Sequence, residues 1–380
     1  MQALTVLIKP ASGSCNMHCD YCFYCDEAAK RAQASYGLMS EETLKSVIKR
    51  TLMRTEQNYS IAFQGGEPTL CGLSFFEKVI EYTQKYNRNH AEIHYSLQTN
   101  GYGITKDWAR FFHDHGFLTG LSVDGLEHIH RKYRHGNDGG DSYEHALRAA
   151  ALFDEYGVDY NILTVVHREV AENIREIYAR YRERGWNYLQ FITCLDPIGE
   201  VRGGKPWSLT PELYGRFLID LFDCWYADWE KDPASVPYIR QFENYLGILL
   251  GMPPESCEQT GRCQPQTVVE ADGSVYPCDF YVLDEWRLGN LNSDLLPDIR
   301  EACDRLDFSG PSRIVPDECA ACPHYRLCRN GCRRSRIFGE EISLEARNYF
   351  CPGYRMFFDA ASGRLEHIAQ TLREQAGKGR

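Results

Sequence analysis

Six short apolar runs, at residues 4–8, 59–63, 93–99, 118–123, 160–166 and 188–193, alternate with helical patterns at 41–55, 74–86, 106–115, 143–156 and 170–184. Nothing else in the chain limits its fold as strongly. The runs are largely apolar rather than apolar at every second position, which suits strands buried on both faces. Such strands, separated by helices, make a parallel sheet with right-handed crossovers. The expected fold class is therefore α/β. The pattern leaves open whether the sheet closes or stays a partial barrel. Two more helices are expected at 211–231 and 237–251. The turn signal Ala271-Asp272-Gly273-Ser274 then predicts a hairpin, and a last helix follows at about 354–375.

A length of 380 residues suggests two domains, and 43% hydrophobic residues give ample material for a core. The formal net charge of -11 argues against a nucleic-acid partner. A local basic patch remains open around Arg329, Arg333, Arg334 and Arg336. No apolar run is long enough to span a bilayer, and residues 1–10 carry no cleavage signal. No membrane association is expected, and the expected location is cytoplasmic.

The 16 cysteines are unevenly spread. In a reducing compartment, clustered cysteines point to metal or redox chemistry. Cys15, Cys19 and Cys22 follow the first strand with the spacing C-x3-C-x2-C. Three thiolates so spaced reach three corners of a cubane iron–sulfur cluster and leave the fourth iron open. The alternatives are a zinc site, whose fourth ligand would be Cys25 or His18, and a redox dithiol. The dithiol is disfavoured because no suitable helix is expected after Cys22. A second group comprises Cys257, Cys263, Cys278, Cys319, Cys322, Cys328, Cys332 and Cys351. Eight thiolates suit two closed clusters or two structural zinc sites. Cys25, Cys71, Cys194, Cys224 and Cys303 read as small buried apolar residues.

The first motif, with Tyr21 before its last cysteine, resembles the radical S-adenosylmethionine (SAM) signature. The resemblance implies a partial (β/α)6 barrel over residues 1–235, with SAM chelating the open iron. Gly65-Gly66-Glu67-Pro68, just past the second strand, resembles the family's glycine-rich motif. Gly allows close backbone approach to a ligand. By the same resemblance Tyr21, Gln64, Gly65, Gly66, Glu67, Ser122, Arg134 and Leu195 contact SAM. The second cysteine group, with Gly273, resembles the SPASM extension, implying a domain over 236–380 that holds two auxiliary clusters. The family pattern assigns Cys257, Cys263, Cys278 and Cys332 to one, and Cys319, Cys322, Cys328 and Cys351 to the other. With the N-terminal cluster this makes three 4Fe–4S clusters. Closed auxiliary clusters suit electron transfer.

Tyr276-Pro277-Cys278-Asp279-Phe280-Tyr281-Val282 and Trp286-Arg287-Leu288-Gly289-Asn290, with 63–70, 97–101 and 190–197, resemble the anaerobic sulfatase-maturating enzymes. The likeness runs from Leu7 to about Tyr354. It implies oxidation of a sulfatase Cys or Ser to formylglycine. The deoxyadenosyl radical takes a Cβ hydrogen and Asp279 serves as the base. The implied partners are a sulfatase segment with a Cys/Ser-x-Pro/Ala-x-Arg motif and an electron donor such as flavodoxin or ferredoxin. Ser335 departs from relatives that carry another cysteine there, and no assigned ligand is lost. The competing expectations are a different SPASM enzyme acting on a ribosomal peptide (thioether, crosslink or epimer) and a zinc-stabilised interaction module.

Overall fold

The computed structural model describes residues 3–336 and 346–378. Met1 and Gln2, at the start of the stretch judged against a leader, lie outside the described residues. The chain forms two compact units. The first comprises Met1–Val123, His130–Ile162 and Pro265–Phe308, and the second Asp124–Ile129, Leu163–Gln264 and Ser309–Arg380. Among the described residues, no helix is long and apolar enough to cross a membrane.

In the first unit, the strands Ala3–Lys9, Asn58–Phe63, Glu92–Thr99 and Phe117–Ser122 pair in parallel in that order. Val6, Ile8, Ile61 and Phe63 are fully buried, as expected for strands covered on both faces. The helices between them carry local start and stop signals. Ser40 caps Glu41–Leu52 by accepting from the Thr43 N–H, with Glu41 and Glu42 in the first turn and Lys49 and Arg50 in the last. That helix buries Leu44, Val47, Ile48, Thr51 and Leu52, one stripe at helical spacing. Asp141 caps Ser142–Tyr156, and Gly157 ends it in the left-handed conformation.

The expected hairpin forms from Thr267–Glu270 and Ser274–Tyr276. It does not stand apart. Thr267–Glu270 adds to the edge of the first strand in parallel, with Val6 opposite Thr267 and Lys9 opposite Glu270. This pairing brings residues some 260 positions apart to the same carboxyl end of the sheet. The segment after the hairpin then packs on the helix Phe23–Ala29. Tyr24 sits in a buried cluster with Val268, Tyr276 and Val282, and the Phe23 and Phe280 rings meet edge-on at 4.9 Å.

The second unit holds the strand Tyr188–Thr193, the helices Pro211–Lys231 and Arg240–Leu249, and the terminal helix Cys351–Lys378. The helical pattern at 170–184 is split at Asn173 into Arg168–Glu172 and Ile174–Glu183. The long helices cross where Gly215 faces Gly353. A Cβ on Gly353 would lie 2.2 Å from the Pro211 carbonyl oxygen, so only glycine permits this approach. The crossing fixes the start of the terminal helix, which begins at Cys351.

Candidate active site and cluster sites

The first unit gathers most of the predicted site at the carboxyl ends of its parallel strands, where folds of this kind bind ligands. Cys15, Cys19 and Cys22 lie in the loop after the first strand, and Cys25 feels the charge of all three. Burial pushes the Cys15 thiol up to about 11, while the Met17 N–H, bonded to its sulfur at 3.4 Å, works the other way. Cys22 is shifted down, chiefly by a hydrogen bond from Cys25, with added help from the Arg134 and Lys9 charges.

Two sequence expectations fail here. A helix does follow Cys22: Phe23–Ala29 starts there, with Cys22 at its N-cap. Its short run of aromatic and acidic residues carries no long apolar stripe, so its periodicity was not visible beforehand. Cys25 is exposed rather than a small buried residue, because it projects from the first turn of that helix. Cys194 and Cys303 are buried as expected, and Cys71 and Cys224 are half-buried.

The segment 134–137 proves to be the clamp of the cysteine loop. Met17–Cys19 pairs antiparallel with Arg134–Gly136, placing Cys19 opposite Arg134. The Asn137 N–H donates to the Asn16 carbonyl at 3.0 Å, and its side-chain amide to the Cys15 carbonyl at 2.9 Å. Arg134 is buried, with its guanidinium 5.5 Å from the Tyr21 ring centroid. Asn100 was not singled out in the sequence. Its amide donates to Asn16 Oδ1 at 2.8 Å and approaches Cys15 Sγ at 3.6 Å. A lone Asn after a strand carries no signal that separates this role from a turn.

Gly65-Gly66-Glu67-Pro68 follows the second parallel strand, as expected. A Cβ on Gly66 would lie 1.9 Å from the Ser14 carbonyl oxygen. The Gly66 N–H donates to Ser12 O, and the Glu67 N–H to Ser14 O, each at 2.9 Å. The glycine thus lets the cysteine loop lie directly on this turn. The Glu67 side chain is fully engaged. Its carboxylate accepts from the Thr69 N–H (3.1 Å), Thr69 Oγ1 (2.7 Å), Thr99 Oγ1 (2.9 Å) and the Asn100 N–H (2.9 Å). It therefore ties together the ends of two strands. Burial still holds its pKa above the ordinary carboxylate value. Ser122 ends the fourth parallel strand. Leu195 lies in the second unit, two residues past Tyr188–Thr193.

Asp279 is the first residue of a single 3-10 turn after Cys278. One carboxylate oxygen is ion-paired with the Lys9 ammonium, and the other accepts from the Gln64 amide at 2.5 Å. Lys9 is completely buried, with its ammonium 3.8 Å from the Tyr24 ring centroid. Beside it, Glu270 pairs with Arg31 at 2.7 Å and accepts from the Tyr24 hydroxyl. Burial lifts the Glu270 carboxyl to about 7, opposed by the Lys9 charge. Lys9 and Glu270 are strand partners, so this network follows from the added edge strand.

The second unit carries seven of the eight predicted auxiliary cysteines, and Cys278 lies in the first. Cys319, Cys322, Cys328 and Cys351 line one cavity of about 310 Å³. Their charges act on one another there. Cys257, Cys263 and Cys332 form a second set: the Cys263 charge acts on Cys257, and the Cys257 and Cys263 charges act on Cys332. Burial pushes Cys328 and Cys332 up to about 12, so loading a metal must release their protons. Between Cys328 and Cys332 the backbone takes three successive left-handed residues, Arg329, Asn330 and Gly331, at φ 48°, 64° and 58°. Non-glycine residues hold that conformation only where the surroundings enforce it. The basic patch left open by the sequence does not form from these residues, since Arg333, Arg334 and Arg336 are buried. Arg334 and Arg336 donate to backbone carbonyls, Arg334 to Asp196 O at 2.7 Å. All-sulfur donor sets of this kind fit iron–sulfur clusters.

A parallel α/β sheet bearing three thiols at its carboxyl end, with two further thiol sets, defines a radical SAM enzyme with a SPASM extension. Comparison agrees: residues 10–181 match the radical SAM superfamily, and residues 257–323 an iron–sulfur cluster-binding domain. The chain is 44% identical over 373 residues to a cysteine-type anaerobic sulfatase-maturating enzyme of Clostridium perfringens, covering 98% of this chain and 100% of that one. It is 31% identical to a serine-type anaerobic sulfatase-maturating enzyme of Klebsiella pneumoniae, covering 97% and 89%. The solved structure of native anSMEcpe with bound AdoMet and Kp18Cys peptide superposes with a TM-score of 0.92 at 44% identity, covering 97% of this chain and 99% of that one. The chain belongs to the family of anaerobic sulfatase-maturating enzymes.

Proposed function

We propose that this chain oxidises an active-site cysteine of a sulfatase to Cα-formylglycine. The observation that carries this reading is the full-length likeness, at 44% identity, to a cysteine-type enzyme, against 31% to a serine-type one. The chain is a radical SAM enzyme with three 4Fe–4S clusters. Cys15, Cys19 and Cys22 hold the first cluster. The family pattern assigns Cys257, Cys263, Cys278 and Cys332 to the second, and Cys319, Cys322, Cys328 and Cys351 to the third. When bound, the first cluster and SAM supply the carbon radical that takes a hydrogen atom from the substrate Cβ. The family resemblance assigns Tyr21, Gln64, Gly65, Gly66, Ser122 and Arg134 of the first unit, and Leu195 of the second, to SAM contacts. Glu67 takes part through its backbone, since its carboxylate is already fully bonded.

Asp279 accepts the substrate thiol proton. With the hydrogen atom, that proton and one electron removed, the CH2–SH group becomes CH=S, and an auxiliary cluster, when bound, would accept that electron. Water then replaces the sulfur to give the aldehyde and hydrogen sulfide. Lys9 pairs with one oxygen of the Asp279 carboxylate, and Gln64 donates to the other and fixes its plane. The substrate segment carries a Cys/Ser-x-Pro/Ala-x-Arg motif, and a flavodoxin or ferredoxin supplies the electron. A chain with 16 cysteines, eleven of them assigned as cluster ligands, suits a reducing cytoplasm.

The test is anaerobic incubation with SAM, a reductant and a Cys-x-Pro-x-Arg peptide, followed by mass measurement. A peptide lighter by the cysteine-to-aldehyde change is expected. An unchanged peptide, with SAM cleaved, would rule out this substrate class. Lys9→Met gives a second check. Breaking a buried pair by removing one partner costs about 3–5 kcal/mol, so a lower unfolding temperature is expected. The ratio of deoxyadenosine to product should also rise, because Asp279 loses its orientation. An unchanged ratio in folded Lys9→Met would remove Lys9 from the mechanism.

A further inference from the structure

Arg336 stands among the auxiliary cysteines of the second unit, and no role above uses it. It is 5% exposed. Its Nε and Nη2 donate to the Gly331 carbonyl at 3.3 and 2.8 Å. Nη1 donates to the Ser312 carbonyl at 2.9 Å, and Nη2 also to the Gly261 carbonyl at 2.5 Å. Each acceptor sits beside a predicted ligand. Gly331 immediately precedes Cys332. Gly261 lies two residues before Cys263, and the Ser312 hydroxyl accepts the Cys263 N–H at 2.8 Å. The forked guanidinium therefore ties the loop of Cys263 to the loop of Cys332.

These acceptors are all neutral carbonyls. A guanidinium stays protonated even when buried, so its full charge is brought into a low-dielectric interior. Burial lowers the Arg336 pKa, and the charges of Cys263, Cys332, Tyr325 and Cys319 oppose that shift. Cys319 belongs to the other thiol set of this unit, so the charge acts on both sets.

We infer that Arg336 is a positioning residue that clamps the Cys263 and Cys332 loops and makes the cluster on those cysteines easier to reduce. Reduction adds an electron to a group that is already anionic. A fixed positive charge nearby favours the reduced form, and burial keeps water from screening it. The inference rests on the proposed cluster assignment of these cysteines.

The test is a redox titration followed by electron paramagnetic resonance on reconstituted full-length protein, with iron measured alongside. Replacing Cys15, Cys19 and Cys22 with Ala in every sample leaves the two auxiliary signals. Arg336→Gln removes the charge and Arg336→Lys keeps it. In Arg336→Gln, the auxiliary potentials should fall, that of the cluster on Cys263 and Cys332 the more, by at least a tenfold change in the reduction equilibrium, which is 59 mV for one electron. Arg336→Lys should stay near the parent value. Loss of that cluster in Arg336→Gln with retention in Arg336→Lys would also support the inference. An unshifted potential in iron-replete Arg336→Gln would overturn it. So would equal iron loss, or an equal shift, in both variants, since the charge would then do nothing. Failure of the cluster assignment itself looks different: the parent sample would contain no auxiliary clusters before Arg336 is touched.

Discussion

Replacing Cys15, Cys19 and Cys22 with Ala is expected to abolish reductive cleavage of SAM while leaving about two-thirds of the iron bound. The remaining iron belongs to the auxiliary sets, whose cysteines lie far along the sequence. The loop itself should survive the substitution. It is held by the strand pairing of Met17–Cys19 with Arg134–Gly136, by Asn137, and by the Gly66 and Glu67 N–H groups. None of those bonds uses a cysteine side chain. The check is iron and sulfide analysis on anaerobically reconstituted protein, with deoxyadenosine quantified after addition of a reductant. SAM cleavage at the parent rate in the triple variant would refute the ligand assignment.

Asp279→Asn should lower product formation by roughly a hundred-fold or more, the usual loss when a positioned base is removed. Deoxyadenosine should still form, because hydrogen abstraction does not depend on this carboxylate. The ion pair with Lys9 complicates the single variant. Asparagine leaves a fully buried ammonium without its counter-charge, at a cost of about 3–5 kcal/mol. The double variant Lys9→Met, Asp279→Asn separates the two effects. It should recover thermal stability relative to Asp279→Asn and remain as poor at forming product. If Asp279→Asn forms product at the parent rate, the base lies elsewhere. If the double variant recovers both stability and product, the defect was structural.

The parallel strands were legible to within a residue or two. Burial on both faces writes a continuous apolar run, and the run ends where the strand ends. Residues 160–166 and 188–193 match Tyr160–Val166 and Tyr188–Thr193. Helix starts were legible and helix ends less so. The pattern at 41–55 starts where Glu41–Leu52 starts, but the helix stops at Leu52, three residues early. Short elements held by tertiary contacts were not. Phe23–Ala29, Met17–Cys19 and Arg134–Gly136 have seven, three and three residues, too few to show a period. The arginines after Cys332 left a surface patch open, because sequence does not show which way a side chain points.

The sequence by itself narrowed the chemistry. The C-x3-C-x2-C spacing suits an open iron–sulfur cluster by ligand type and local reach, both properties of a few consecutive residues. The auxiliary sets and the role of Asp279 were legible only through the family resemblance. Only the tertiary structure decided what surrounds that carboxylate. Lys9 and Gln64 follow strands near the start of the chain, and Asp279 follows a hairpin near its end. They meet because Thr267–Glu270 adds to the edge of Ala3–Lys9 in parallel register. Parallel pairing aligns carboxyl ends, and it is driven by burial of apolar faces that are far apart in sequence. The charges at those ends carry no mark of their partners until the sheet has formed.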